Sequence, residues 1–259
     1  NFSWAQRIYR AIFLPPSAKR ASQITTNSLF TAKDVVNSLG INIRKIKVIH
    51  HSTTDNQFSE NGSPKDIVVF KKYGLKIPYI LSVANALPHK NLDGLLNGCV
   101  LLAQRGIKFE LVLAGAPMKF HKKLRELIDS SPIFDRVKLL GYVPDSDLPA
   151  LYRGATVYVF PSIFEGFGVP LIEAMITGIP VLAANRGALP EIAGGAAMLV
   201  DPDPQNLAKG LQKVLSDQEL RSKMRNQGFR RAKEFTFRKT AEQTLGLIIE
   251  TGNSSRSLS

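Results

Sequence analysis

The chain has 259 residues, 44% of them hydrophobic, which is enough for one large or two small domains with an ordinary core. No run in it approaches the roughly 18–20 consecutive apolar residues of a membrane span, so a spanning helix is excluded from the reading. With 34 Lys and Arg against 21 Asp and Glu the formal net charge is +13, which suits phosphorylated small molecules, anionic membrane surfaces or nucleic acid as partners. The basic residues are scattered, with local clusters at Arg7 to Arg20, Arg44 to Lys47, Lys119 to Arg125 and Arg221 to Lys239. They read as solvated helix faces, and no zinc-finger or RNP-like signature accompanies them, so no nucleic-acid partner is expected. Cys99 is the single cysteine, which fits a reducing compartment. It stands among apolar residues of a predicted helix and reads as core, not as a nucleophile. The first residues, Asn1 to Arg7, lack a charged region followed by an apolar run and do not read as a secretory signal. Without an initiator Met, the chain reads as processed or truncated.

In chain order, residues 2–13 predict a helix with Phe2, Ile8, Ile12 and Phe13 as its apolar positions, stopped by Leu14-Pro15-Pro16. Gln23 to Thr26 is a short β-rich stretch. Asn27 or Ser28 caps a helix over 29–39 that ends at Gly40. Lys45 to Ile49 is a strand, with His50 and His51 at its end. Paired histidines suggest metal or acid–base chemistry, but no third ligand stands near, and a plain polar strand end is the better reading. Residues 55–66 are polar with Gly and Pro and mark a linker, which divides the chain into 1–63 and 64–235.

From Pro78 the pattern turns regular. Strands are predicted at Tyr79–Ala84, Phe109–Ala114, Arg136–Leu140, Val157–Phe160, Ile179–Ala184 and Ala197–Val200. Helices fall between them: from near Asn91 to Gly106, Lys119 to Ser130, Leu148 to Arg153, one opening at Pro170, and a short turn over Leu189–Ala193. Helices continue over Gln205–Leu215, Glu219–Glu234 and Arg238–Glu250, and a polar tail from Gly252 to Ser259 reads as disordered. The alternation implies an α/β fold, a Rossmann-like parallel sheet with helices on both faces. Gly115, Gly141 and the 161–168 loop then fall at one sheet edge, where such sheets bind ligands. No Gly-x-Gly-x-x-Gly follows a first strand, no P-loop is present, and no Gly-x-Ser-x-Gly elbow appears.

The most informative stretch is 162–174, Ser-Ile-Phe-Glu-Gly-Phe-Gly-Val-Pro-Leu-Ile-Glu-Ala. It spells strand end, Gly-rich loop and helix. Gly166 and Gly168 let the backbone turn sharply or approach a ligand, and Pro170 sits where a helix begins. A helix N-terminus there offers N–H groups and a partial positive charge to a phosphate. Glu165 in the loop and Glu173 in the first helical turn suit a polyhydroxylated ligand, since carboxylates accept hydrogen bonds from hydroxyls. A glutamate near a helix start also serves as plain dipole compensation.

These residues resemble the signature of family 4 retaining glycosyltransferases, which have the GT-B architecture. Further segments match in order: Pro88-His89-Lys90-Asn91-Leu92, Gly141-Tyr142-Val143, Gly178-Ile179-Pro180-Val181, Leu189-Pro190-Glu191-Ile192-Ala193-Gly194 and Val200-Asp201-Pro202. Upstream, Ile24 to Thr31 is similar to the end of the family's acceptor-side domain. The resemblance spans most of residues 20–245 and looks most like bacterial mannosyltransferase-type members of polysaccharide biosynthesis.

The resemblance implies a donor domain over 64–235, a remnant of the acceptor-side domain over 1–63, and a C-terminal helix over 236–251 returning toward the N-terminal part, before the tail 252–259. It implies that Glu165, the catalytic candidate, lies by the donor sugar and that Glu173 binds the ribose hydroxyls. Lys90, beside Asn91, would neutralise the diphosphate. The backbone of Gly166, Phe167, Gly168, Val169, Pro170 and Leu171 would cradle sugar and phosphate. Gly141, Tyr142 and Val143 would contact the base. The family often carries an arginine just before its Lys-Asn element; Asn85 or His89 stands in that place, and Asn85 and Arg186 are the candidates for the diphosphate contact it would make. A histidine of the acceptor domain has no counterpart, because His50 and His51 come too late in the pattern. The implied activity is retaining transfer of a hexose, first mannose from GDP-mannose and second a UDP-hexose, to a saccharide or lipid-linked acceptor. No cofactor and no metal are expected. The implied location is cytoplasmic, with peripheral contact at the inner face of an anionic membrane. The alternative is a nucleotide-sugar-binding module without turnover.

Overall fold

A computed structural model describes residues 4–53, 58–76, 78–85, 87–115 and 122–256. The chain divides into two compact units, residues 1–52 with 236–259, and residues 53–235.

In the first unit, strands β1 (Ile24–Thr26) and β2 (Ile46–Val48) pair in parallel, with Thr25 opposite Lys47. Helix α2 (Leu29–Leu39) crosses between them. Of the two candidate caps it is Ser28 that acts: its Oγ accepts the Thr31 N–H at 3.0 Å. Gly40, at φ 63°, ends the helix in the left-handed region. Helix α1 (Trp4–Arg20) runs through Pro15 and Pro16, where a stop at Leu14 is predicted. Each proline removes one backbone donor, but the carbonyls it deprives belong to the exposed Ala11 and Ile12, which water can serve. The first residues of the predicted helix, Phe2 and Ser3, lie outside the described residues.

Helix α11 (Phe237–Arg256) completes this unit, and Thr240 Oγ1 donates to the His50 carbonyl at 2.8 Å. The disordered tail expected from Gly252 is helical as far as Arg256. Extending an existing helix adds a bond per residue without a new nucleus, which outweighs the cost of about 1 kcal/mol for one Gly. Residues 257–259 lie outside the described residues.

The second unit holds a six-stranded parallel sheet. Its strands are β3 (Tyr79–Val83), β4 (Leu111–Ala114), β5 (Val137–Gly141), β6 (Ala155–Phe160), β7 (Val181–Ala184) and β8 (Met198–Val200). Their order is β5-β4-β3-β6-β7-β8. The helices between them are α4 (Leu92–Gln104), α5 (Lys122–Asp129), α6 (Leu148–Gly154), α7 (Val169–Thr177) and α8 (Leu189–Ala193), with α9 (Pro204–Ser216) and α10 (Gln218–Ala232) after the sheet. The predicted start of α5 at Lys119 lies outside the described residues. Strand residues such as Ile80, Leu81, Val157, Tyr158 and Leu182 are buried because both sheet faces are covered. Leu95, Cys99 and Leu102 of α4 meet Leu207, Leu211 and Val214 of α9 in the core. Burial pushes the Cys99 thiol up to about 12, so it packs as an apolar residue.

Helix α3 (Pro64–Lys72) occupies the end of the predicted linker. Two of the polar residues there hold structure. Ser63 caps the helix by accepting the Lys65 N–H at 3.3 Å, and the buried Asp66 takes Arg153 of α6 in a two-pronged pair at 2.7 and 2.7 Å. The boundary between units accordingly falls after Ser52 and not at residue 63. Residues 54–57 of that linker lie outside the described residues.

Candidate functional site

Strand order places the topological switch between β3 and β6: from β3 the chain goes one way to β4, from β6 the other way to β7. A doubly wound sheet opens a crevice there, beyond the strand C-termini. The loops leaving these two strands carry Lys90 and Glu165. Lys90 Nζ meets Glu165 Oε1 at 2.6 Å, with side chains 17% and 13% exposed. The Lys90 ammonium also stands 5.8 Å from the Phe160 ring centre. Two residues far apart in sequence thus form one charged pair at the place where the fold predicts a ligand.

Asn91 fixes the loop that presents Lys90. It is the non-Gly residue recorded at positive φ (54°), a conformation Asn tolerates. Its Nδ2 donates to the Pro161 carbonyl at 3.1 Å and to the Pro202 carbonyl at 2.7 Å, tying together the loops after β3, β6 and β8. A Cβ at Gly94 would overlap this amide. Both amide hydrogens of Asn91 thus go to the scaffold. A further stitch is the Ile163 N–H to the His89 carbonyl at 2.8 Å.

Gly168 has φ 106° and stands at the start of α7. A Cβ there would lie 2.9 Å from Leu189 Cδ2 and 3.2 Å from Phe160 Cε1, so both conformation and space require glycine. The cradle is narrower than expected. Pro170 has no N–H, and the Leu171 N–H goes to the Gly168 carbonyl at 3.0 Å. Neither Pro170 nor Leu171 therefore keeps an N–H for an anion. The Glu165 carbonyl is held by the Ala188 N–H at 2.9 Å, and a Cβ at Gly187 (φ 60°) would lie 2.7 Å from that same oxygen. Gly187 is a site-shaping residue that the sequence reading passes over.

Because α7 begins at Val169, Glu173 falls in its second turn and not in the first. Tyr152 Oη donates to Glu173 Oε2 at 2.9 Å. Burial raises the Glu173 carboxyl above its ordinary value; the Tyr152 hydrogen bond works against that shift, and Asp145 adds to it. Tyr158 lies beneath both glutamates. Burial first, then the charges of Glu173 and Glu165, hold its phenol well above the usual range.

Beyond β4 and β5, the Gly115 N–H donates to the Gly141 carbonyl at 2.8 Å, with φ 103° and 72° at the two glycines. Val143 is buried and Tyr142 is 69% exposed, so the expected base-contacting segment presents one open ring on a fixed backbone. Asn85 Oδ1 and Ser162 Oγ lie buried without a hydrogen-bond partner among the described residues. Both follow the strands of the switch point, and unpaired buried oxygens there suit a polar ligand. Arg186 is engaged elsewhere: its guanidinium gives to Asp201 Oδ1 and to the Asn185 carbonyl, both at 2.8 Å. Among the described residues no group of three or more His, Cys, Asp or Glu is placed to hold a metal.

A cavity of about 780 Å³ opens at the other edge of the sheet, by Arg153, Gly154, Gly178 and Arg225. Its three arginines are already engaged, Arg153 with Asp66, Arg225 with Glu60, and Arg221 with the Val214 and Leu215 carbonyls. The charged pair at the strand C-termini is the better candidate site.

Fold and site define a doubly wound α/β unit with a candidate ligand site at its switch point. Residues 68–231 match the family of glycosyl transferases group 1, and the chain belongs to that family. It is 31% identical over 235 residues to O-antigen chain mannosyltransferase B of Escherichia coli, covering 90% of this chain and 61% of that protein. The chain thus spans about three fifths of the length of that curated relative. Its fold is that of the GT-B glycosyltransferases. A glycosyltransferase from Rickettsia africae superposes with a TM-score of 0.81 at 21% identity, over 97% of this chain and 68% of that one. Alr3699/HepE of Anabaena, in complex with UDP-glucose, gives a TM-score of 0.81 at 22% identity, over 95% and 68%.

Proposed function

We propose that this chain binds a nucleoside-diphosphate hexose at the switch point and, with its acceptor, transfers the hexose with retention of configuration. The observation that carries this reading is the Lys90–Glu165 pair between the loops of β3 and β6, with Glu173 on the helix that follows. In this reading Lys90 and the start of α7 stabilise the charge that develops on the departing diphosphate. Glu165 receives sugar hydroxyls and Glu173 the ribose hydroxyls. Asn85 is the candidate for a further diphosphate contact, and Tyr142 and Val143 frame the base. No metal is required by these roles.

The donor is GDP-mannose in the first instance, in keeping with the mannosyltransferase name of the Escherichia coli relative, and a UDP-hexose in the second, in keeping with the UDP-glucose complex of the Anabaena neighbour. The acceptor is a saccharide or a lipid-linked saccharide. The location proposed is cytoplasmic, at the inner face of an anionic membrane; no helix among the described residues is long and apolar enough to cross one. A thermal-shift series with GDP, UDP and ADP tests the donor, because a ligand bound by the native state raises the melting temperature with its affinity and concentration. GDP should give the largest shift. Equal and negligible shifts from all three would reject the reading.

A second reading is a nucleotide-sugar-binding module, favoured by the placement of Lys90, Glu165 and Glu173 within the single unit of residues 53–235. Donor binding by calorimetry without hydrolysis or transfer would select it.

A further inference from the structure

We propose that the Tyr152 hydroxyl is a positioning group for Glu173: it anchors one carboxylate oxygen and leaves the other to read the ribose diol. This rests on the ribose role assigned to Glu173 above. Tyr152 has one proton to give, and two acceptors stand near it: Glu173 Oε2 at 2.9 Å and the Pro170 carbonyl at 3.5 Å. The shorter contact takes the proton. The ring has no room to swing. Tyr152 is wholly buried, its ring tilted against Tyr158 at 5.3 Å between centres and meeting Phe58 edge-on at 5.8 Å. A fixed ring on α6 therefore sets the direction of a side chain on α7.

The chemistry of the anchor matters. A carboxylate has about four lone-pair sites. A neutral hydroxyl occupies one of them without cancelling the charge, whereas a cation would. Oε1 stays open for the two hydroxyls of a ribose, and the hydrogen bond favours the ionised carboxylate against its burial. The titratable groups bearing on Glu173 are Tyr152 on α6, Tyr158 on β6 and Asp145 in the loop before α6. From α8 the apolar Leu189 meets the α7 start, and β7 is apolar throughout. At the far end of α7, α10 brings Arg225 and Phe229 against Gly178. Among the described residues, no other side chain donates a hydrogen bond to this carboxylate.

The test is calorimetry on the whole chain with GDP and with 2′-deoxy-GDP, from about pH 5 to about pH 8; UDP and its deoxy form serve if UDP gives the larger thermal shift. The unaltered chain should prefer the ribo form by roughly tenfold, the worth of a hydrogen bond to a charged group. Tyr152→Phe keeps the ring and its packing. It should shrink that preference to about two- or threefold and move the acid limb of GDP binding to higher pH. Glu173→Gln should lose the preference and the carboxylate's share of the limb, keeping only that of the diphosphate. Tyr152→3-fluorotyrosine, a stronger donor of nearly the same shape, should move the limb to lower pH, and it keeps the idea testable if the Phe variant folds poorly. An unchanged preference and limb in Tyr152→Phe, or an unmoved limb with fluorotyrosine, overturns the positioning role. Full ribose preference in Glu173→Gln would instead reject the ribose assignment itself.

Discussion

Two ion pairs of the α/β unit invite comparison. Lys90–Glu165 spans 2.6 Å with side chains 17% and 13% exposed; Arg153–Asp66 spans 2.7 Å with 13% and 12%. Distance and burial hardly separate them. They stand at opposite edges of the sheet, and they differ in what pairing leaves unspent. Arg153 gives Nε and Nη2 to the two Asp66 oxygens and Nη1 to the Ser59 carbonyl, so its planar fork is consumed by protein. Lys90 is a point charge with three donors and meets Glu165 through a single oxygen. The first arrangement holds α3 on α6. The second holds charge ready where strands end, at the proposed ligand site.

The largest effect should come from breaking the structural pair. Asp66→Ala leaves a buried guanidinium without its partner, and should cost about 3–5 kcal/mol of stability. GDP affinity of the folded fraction should not change. The Arg153 hydrogen bond, chiefly, holds the Asp66 carboxyl below its ordinary 3.8. A lowered carboxyl contributes stability above that value and loses it as pH falls through the lowered one. Denaturant melts of the chain and of Asp66→Ala should therefore converge in acid; a parallel gap down to the acid transition would show that the charge pair is not the source.

Next is the site pair. Lys90→Met should weaken GDP binding by about 1.5–3 kcal/mol through lost charge-assisted bonds to the diphosphate. It also strands Glu165, so some stability should go with it. Adding Glu165→Gln should restore stability and not affinity. Calorimetry and melts on the two variants separate these outcomes: recovery of GDP binding in the double variant would make the pair structural, like Arg153–Asp66.

The sheet was readable in the sequence because a doubly covered parallel strand is a short apolar run, as in Val157–Phe160, and such runs alternated with helices. The glutamates and Lys90 were readable because their spacing and order resemble a family. What was not readable depends on contacts across the chain. Asp66 looks like a linker residue until Arg153, distant in sequence, is placed beside it. Tyr152 looks like one more apolar position of a short helix until its hydroxyl is seen on Glu173. Asn91 shows no structural role in the sequence until its amide is found on the Pro161 and Pro202 carbonyls. Periodicity reports which face of an element is buried; it carries nothing about the partner of a polar atom on that face.

The smallest effect, and the finest probe of the comparison, is the pH dependence of Glu173. Unlike Glu165 it is anchored by a neutral hydroxyl, and its burial raises the carboxyl above the ordinary 4.5. The native state then holds this proton more tightly than the unfolded chain does. The group's contribution to stability is greatest below 4.5 and falls as pH rises through the raised value. Ribose binding runs the other way, since hydroxyl donors need the ionised carboxylate. Across that one window, GDP affinity should rise while this group's share of stability falls. The change in affinity should stay within about tenfold, the worth of one hydrogen bond to a charged group. Titration of the diphosphate itself enters the chain and Glu173→Gln alike, so the ratio of their GDP affinities isolates the carboxylate. A ratio independent of pH would mean that Glu173 stays ionised throughout, and that its anchor offsets burial more fully than the geometry of one hydroxyl suggests.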